Sequence, residues 1–401
     1  MTPASGELIR ADILPPDWKL VTLSQVAEYS LGKMLDAAKN KGCPFFYLGN
    51  VNVKWFGFDL SDLRSMQFEG HELERFGLKK GDVLICEGGE AGRAAIWDEQ
   101  LPNIKFQKAI HRVRPGPELL NRFLVHRLLM DSHSGRLAEY YTGATIKHLT
   151  SKDLGRYSFG LPPIDEQNKI VSILDCVESV RAKRRLTLSK LGGLTQAIFV
   201  HMFGDPEINP KGLPMAKLKD LGRLERGVSK HRPRNAPELM GGPYPLVQTG
   251  DVSRCGGYLR TFTTTYSDAG LRQSKIWPAG TLCITIAANI AKTGVLMFDA
   301  CFPDSVVGFS SDRSATVEYV RVWLSFLQKK LEESAPSSAQ KNINLAVLRD
   351  LDIPIPSPTD LEIFLRRITS LEKLKASHSE HLARLDNLFA SLQHRAFRGE
   401  L

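Results

Sequence analysis

The chain has 401 residues, 42% of them apolar, and a formal net charge of +9. That length points to two or three domains, and that apolar share is ordinary for a chain that buries cores. No apolar run reaches the ~18 residues of a membrane helix, and the excess of Lys and Arg favours a polyanionic partner, nucleic acid first.

Residues 1–14 read as a loose leader without an apolar signal region, so nothing suggests export. The six cysteines are far apart and form no C-x-x-C, which suits a reduced cytoplasm and argues against structural zinc. Pro15-Pro16-Asp17-Trp18 opens a first globular unit over residues 15–160. Its strand-like runs include Phe45 to Val51 and the apolar Val83-Leu84-Ile85-Cys86, which follows a Gly turn. A helix carries Leu119, Phe123, Leu124, Leu128 and Leu129 at helical spacing, and the polar loop Thr142 to Leu149 follows it.

The stretch 161–206 is a long helix. Pro162-Pro163 stops the preceding strand, Asp165 stands as the N-cap, and Gly204-Asp205-Pro206 ends the helix. Ile170, Val177, Leu191 and Ile198 recur every seven residues around one polar interruption, Arg184. Ile173, Val180 and Leu194 make a second row, widened by Leu174, Leu188 and Met202. A repeat of seven predicts a seam for a partner helix, and about 38 residues give a strut of roughly 57 Å.

A second unit over 207–354 repeats the order of the first: Tyr244 to Val252, then Leu282 to Thr285, a helix around Val320, Trp323, Leu324 and Leu327, and the polar loop Ser337 to Leu345. A second long helix follows over 355–401, with Thr359 or Asp360 as cap. A shift of about 194 residues superposes the two helices. Ile170 falls on Phe364, Val177 on Leu371, Leu191 on Leu385 and Ile198 on Leu392, with Arg184 on His378. Equivalent halves predict an antiparallel pairing about a local two-fold axis. Ile170 then lies near Leu392, Val177 near Leu385, Leu191 near Leu371 and Ile198 near Phe364. Arg184 meets His378 at the centre, its head group turned outward.

With these residues in hand, the chain resembles the specificity subunit of type I restriction–modification systems. The resemblance runs from about Pro15 to Leu401 and is carried by LPPIDEQNKIVSILD, AKRRLTLSKL, IFVHMFGDP and LQHRAFRGEL. Within the units FGLKKGDVLICEGGEAGRAAI, ACFPDSVVGF and SSAQKNINL carry it. Thr359-Asp360-Leu361 departs from the Glu-Gln of the family's helix start. The resemblance implies an α+β fold: two target-recognition domains of mixed strands and helices, separated by two long antiparallel coiled-coil spacer helices. It implies a non-catalytic reader of an asymmetric, bipartite DNA target that scaffolds two methyltransferase subunits and motor-nuclease subunits in the cytoplasm. No cofactor is then bound by this chain. S-adenosylmethionine belongs to the methyltransferase partners, and ATP and Mg to the nuclease partners. A methylation-only or type IIB-like system, or a coiled-coil scaffold with no DNA role, are the alternatives.

The motifs agree with a chain without its own chemistry. No Asn or Asp precedes Pro-Pro and an aromatic residue, no P-loop exists, and no His pattern has metal spacing. Candidate DNA contacts are polar or basic loop residues. In the first unit these are Lys33, Arg93, Lys105, Lys108, Arg112, Lys147 and His148. In the second they are Arg226, Lys230, Arg232 and Arg234 in one loop, Asn289 and Lys292 in another, and Gln340, Lys341, Asn342 and Asn344 in a third. A solvated surface charge is the plain alternative for each.

Overall fold

The computed structural model describes residues 14–36, 38–287, 290–334 and 343–401. Most of the expected leader therefore lies outside the described residues, as do Asn289, Gln340, Lys341 and Asn342. The chain divides into two compact units, Met1–Arg185 with His381–Leu401, and Leu186–Glu380. Each is α+β, and both long helices contribute one end to each unit.

In the first unit the strand Lys19–Thr22 pairs antiparallel with Ser158–Leu161, which feeds directly into the first long helix. A four-stranded sheet runs in the order Ala27–Leu31, Ile110–Pro115, Val83–Cys86, Ala94–Ile96. Val83–Cys86 is buried on both faces, as its unbroken apolar run requires. A three-stranded sheet adds Arg64–Phe68, Cys43–Leu48 and Lys105–Phe106, the last pair parallel with Leu48 opposite Phe106. The helix Asn121–His133 packs Phe123, Leu124 and Leu128 into the same core as Ile170, Leu174, Phe389 and Phe397 of the long helices and the C-terminal end.

The second unit has the same plan. Met215–Lys217 pairs with Asp352–Pro354 ahead of the second long helix. Five strands run in the order Arg223–Arg226, Val306–Ser310, Leu282–Thr285, Thr293–Leu296, Tyr258–Leu259. Thr264–Tyr266, Met240–Leu246, Ala300–Cys301 and Ile276–Trp277 form the other sheet, again with one parallel pairing, Leu246 opposite Cys301. Phe199, Phe203 and Phe364 pack with Tyr319 of the helix Ser314–Ser334. Among the described residues no helix is long and apolar enough to cross a membrane.

The long helices span Ile164–Phe203 and Pro358–Ala396. Their starts correct the expected caps. Glu166 and Gln167 donate backbone N–H groups to the Pro163 carbonyl at 3.0 Å, so Asp165 lies inside the first turn. There its charge favours the positive end of the helix dipole without capping it. Ser357 caps the second helix: its Oγ accepts from Asp360 N at 3.1 Å and donates to Asp360 Oδ2 at 2.6 Å. Gly204 closes the first helix in the left-handed region at φ +83, with its N–H on the Val200 carbonyl at 2.8 Å.

The second apolar row is also corrected. Ile173, Val180 and Leu194 are exposed, whereas Leu174 is buried. Turns of 3.6 residues make the stripe alternate steps of four and three. The companions of Ile170, Val177, Leu191 and Ile198 are therefore Leu174, Arg181, Thr195 and Met202. In the second helix Leu361, Ile368, Leu371 and Phe389 are buried, and Lys375 occupies the polar place in the companion row.

Candidate nucleic-acid interface

In the first unit five loops converge. The turn after Leu48 brings Asn50 to Gly88, whose carbonyl accepts from Asn50 Nδ2 at 3.4 Å. Arg93 Nη2 donates to the Asn50 carbonyl at 2.8 Å, and Arg93 also pairs with Glu90, which accepts from Trp55 Nε1. Gly88 and Thr142 both bridge to His148. A Cβ at Gly88 would meet His148 Nδ1 at 3.1 Å, so only glycine sits easily under that ring. Lys108 N donates to the Lys33 carbonyl, which ties the loops around 33 and 108 together. Lys108, Lys147, Val51 and Ile146 in these loops are exposed.

Three expected contacts are instead committed inside the unit. Lys33 is buried, pairs with Glu72 and donates to the Gln67 carbonyl at 2.9 Å. Lys105 is buried under Phe45 and donates to the Leu73 carbonyl at 2.9 Å, and burial depresses its pKa. Arg112 donates to the Gly77 carbonyl at 2.7 Å and the Arg75 carbonyl at 3.0 Å. Each lies in or beside a strand whose core pulls the side chain inward, and each then needs a local acceptor. Cys86, beneath the same loops, has its thiol pushed up to about 11 by burial, the opposite of a nucleophile.

In the second unit the loop from Arg226 to Arg234 folds over the turn after Ala300–Cys301. Val228 N donates to the Phe302 carbonyl at 3.2 Å, and Gln273 Oε1 accepts from Lys230 N at 2.7 Å and His231 N at 3.0 Å. Arg226 donates to the Asp304 carbonyl, while Arg232 and Arg234 both reach the Asp304 carboxylate. Lys230 is exposed. Lys292 donates to Gln328 Oε1 at 3.2 Å. The Asn344 side chain caps the short helix Leu345–Arg349 by accepting from Ala346 N at 3.2 Å. Asn50, Gln273 and Asp304 organise these faces and were not among the expected contacts. Asn50 and Asp304 lie in turns after strands, and Gln273 ends the short helix Asp268–Arg272.

The helices are fixed to each unit by polar contacts that the apolar pattern hides. Gln167 is buried; its Nε2 donates to the Glu118 and Pro162 carbonyls, and its Oε1 accepts from Leu120 N at 2.9 Å. Leu361 takes the equivalent place in the second helix, where it is buried. Asp175 accepts from Arg122 at 2.7 Å and lies 2.6 Å from His126 Nε2. Burial holds the His126 pKa below its usual value, with Asp175 opposing, and Asp175 is held low by His126 and Arg122 against its own burial. In the second unit Phe364 of the seam packs on Phe199 at 5.8 Å, next to Ile198. Arg184 belongs to the first unit and His378 to the second.

A family model for the type I restriction modification DNA specificity domain matches this chain twice, over residues 15–186 and 210–386. The chain is 23% identical over 448 residues to the EcoBI specificity subunit of Escherichia coli, covering 99% of this chain and 90% of that protein. It is 22% identical over 470 residues to the HindI specificity subunit of Haemophilus influenzae, covering 96% and 100%. Among solved structures, a type I restriction–modification assembly has a chain similar in fold at a TM-score of 0.58 and 19% identity, covering 97% of this chain and 99% of that one. The S subunit from M. genitalium gives 0.58 at 15% identity, covering 95% and 96%.

Proposed function

This chain belongs to the family of type I restriction modification DNA specificity domains, and from that premise we infer that it is the DNA sequence-specificity subunit of a type I restriction–modification complex. The observation that carries the reading is the repetition. Two units share the central part of their strand pairings, and each matches the family model, yet the loops after equivalent strands carry different side chains. Asn50 and Val51 stand where the second unit has Gln248 and Thr249, and the Lys108 turn stands where it has Pro303 and Asp304. Equal scaffolds with unlike loop faces suit two readers of unlike sequences, hence an asymmetric, bipartite target.

The chain reads and scaffolds, and the chemistry belongs to its partners. The methyltransferase subunits bring S-adenosylmethionine, and motor-nuclease subunits, where present, bring ATP and Mg. Repeated exposed positions on the helices support two copies of the methyltransferase. Val180 and Leu374 occupy equivalent positions, as do Leu194 and Leu388, and all four are exposed. Paired apolar side chains at repeated positions suit two copies of one partner surface. The DNA substrate sets the place of action as the cytoplasm.

Co-expression with the modification subunits tests this reading. Retention of the complex on duplex DNA should fall steeply with salt and should favour one sequence. A complex that holds DNA no better than the modification subunits alone would leave only a scaffold role.

A further inference from the structure

The loop of the second unit that holds Arg226, Arg232 and Arg234 carries more positive charge than its neighbour neutralises. Arg232 Nη2 donates to Asp304 Oδ2 at 3.2 Å, and Arg234 pairs with Oδ1 of the same carboxylate. Arg232 Nη1 is held besides by the Ser229 carbonyl at 2.6 Å and the His231 carbonyl at 2.8 Å. Their side chains remain 54% and 43% exposed, against 30% for Asp304. One carboxylate between two guanidinium groups leaves a net cation facing solvent, and Arg226 on the Asp304 carbonyl adds to it.

The arrangement is poor for gripping phosphate and good for reading a base. Phosphate binding draws chiefly on net positive charge, and a carboxylate shared by two guanidinium groups weakens it. A base reader needs its fork aimed. Arg234 is fixed at Nη2 by Asp304, and Arg232 at Nη2 by Asp304 and at Nη1 by two carbonyls, while both side chains stay partly exposed. The loop itself is anchored by Gln273 Oε1 on two successive backbone N–H groups. The bidentate partner of an aimed Arg fork in the major groove is guanine, through O6 and N7. Resting on the DNA-reading function argued above, we propose that Arg232 and Arg234 read guanine in the half-site of the second unit, and that Asp304 is the residue that positions them.

The test uses the full chain in complex with its modification subunits, on a duplex carrying the target defined by methylome sequencing. Each guanine of the second unit's half-site is replaced singly by 7-deazaguanine, which lacks the N7 acceptor. At least one replacement should weaken binding about tenfold or more. Arg232→Ala or Arg234→Ala should weaken binding to the unmodified target by a similar factor and become indifferent to that replacement. Both side chains are exposed, so these variants should keep the wild-type melting temperature. Asp304→Asn should lose preference for guanine over adenine there while retention on scrambled duplex stays equal or rises, a response that a merely structural role would not give. The inference is overturned if the half-site holds no guanine, if no replacement weakens binding, or if the Arg variants lose target and scrambled duplex alike and still sense the replacement. A wild-type complex that fails to distinguish target from scrambled duplex would instead overturn the DNA-reading function, and the inference with it.

Discussion

Arg181 of the first long helix lies over the ring of Phe389 in the second, 4.2 Å from its centroid. The equivalent residue about 194 positions later, Lys375, meets Thr195 Oγ1 at 3.3 Å, and Thr195 is the equivalent of Phe389. Each cation also pairs with the acid three residues before it, Glu178 or Glu372. The same crossing therefore occurs within each unit, once with Arg over an aromatic ring and once with Lys on a hydroxyl. In the second unit Thr195 meets Lys375 whereas Phe199 and Phe203 meet Phe364, so the segments run antiparallel. The pairings Arg181 with Asp386 at 2.7 Å and with Phe389 put the first unit's contact past the expected Val177–Leu385 level.

Arg181 should be worth more than a surface charge. Its side chain is 12% exposed and joins Glu178, Asp386 and Phe389. Arg181→Ala should destabilise the first unit by about 2 kcal/mol, read by urea unfolding. A double-mutant cycle with Phe389→Leu should show a coupling of about 0.5–1 kcal/mol. Additive effects would mean that the ring contact carries no energy.

Gln167 is the most exacting position at the start of a long helix. Gln167→Leu copies the residue found at Leu361 but leaves Leu120 N, Glu118 O and Pro162 O without their partner. It should cost about 2–4 kcal/mol, as much as Gln167→Ala. A neutral Gln167→Leu variant would show that those backbone groups find water instead.

The acid sensitivity of the first unit should run through His126. Its folded pKa is lowered from the usual 6.5 by burial, so the unfolded chain binds the proton more readily. Its contribution is thus constant above that value and is lost as pH falls below it. Asp175, held low by its partners, protects down to its usual 3.8 and loses its contribution below that. His126→Gln should flatten the fall in stability as pH drops below about 6.5. His111, also lowered by burial, should keep part of the slope.

The long helices, the buried strand Val83–Cys86 and the repetition of the two halves were legible because continuous apolar runs and a seven-residue repeat need no partner to be recognised. The companion row was not, because Arg181 and Lys375 hold positions that a pattern reserves for apolar side chains. Lys33 and Lys105 read as surface charges because their acceptors lie far off in sequence: Glu72 for the first, the Leu73 carbonyl for the second. The Ser357 cap was missed since Thr359 and Asp360 are equally good capping residues, and only backbone geometry selects among them. On the candidate DNA faces Lys108, Lys147 and Arg232 are exposed as expected, while Asn50 and Asp304, which hold the loops in shape, carry no compositional signal.

Independence of the two readers has its own test. Exchange of residues 207–354 for the matching unit of a relative should change one half of the DNA target and leave the other intact. Change in both halves would show that the units read jointly.

The central claim is that two unlike units read two unlike parts of one target. Methylome sequencing of a host with and without this protein, in the presence of its modification subunits, addresses it most directly. The account predicts a new methylated motif made of two dissimilar short sequences separated by a fixed unspecified gap. A single continuous motif, a perfect palindrome, or no change in methylation would contradict it.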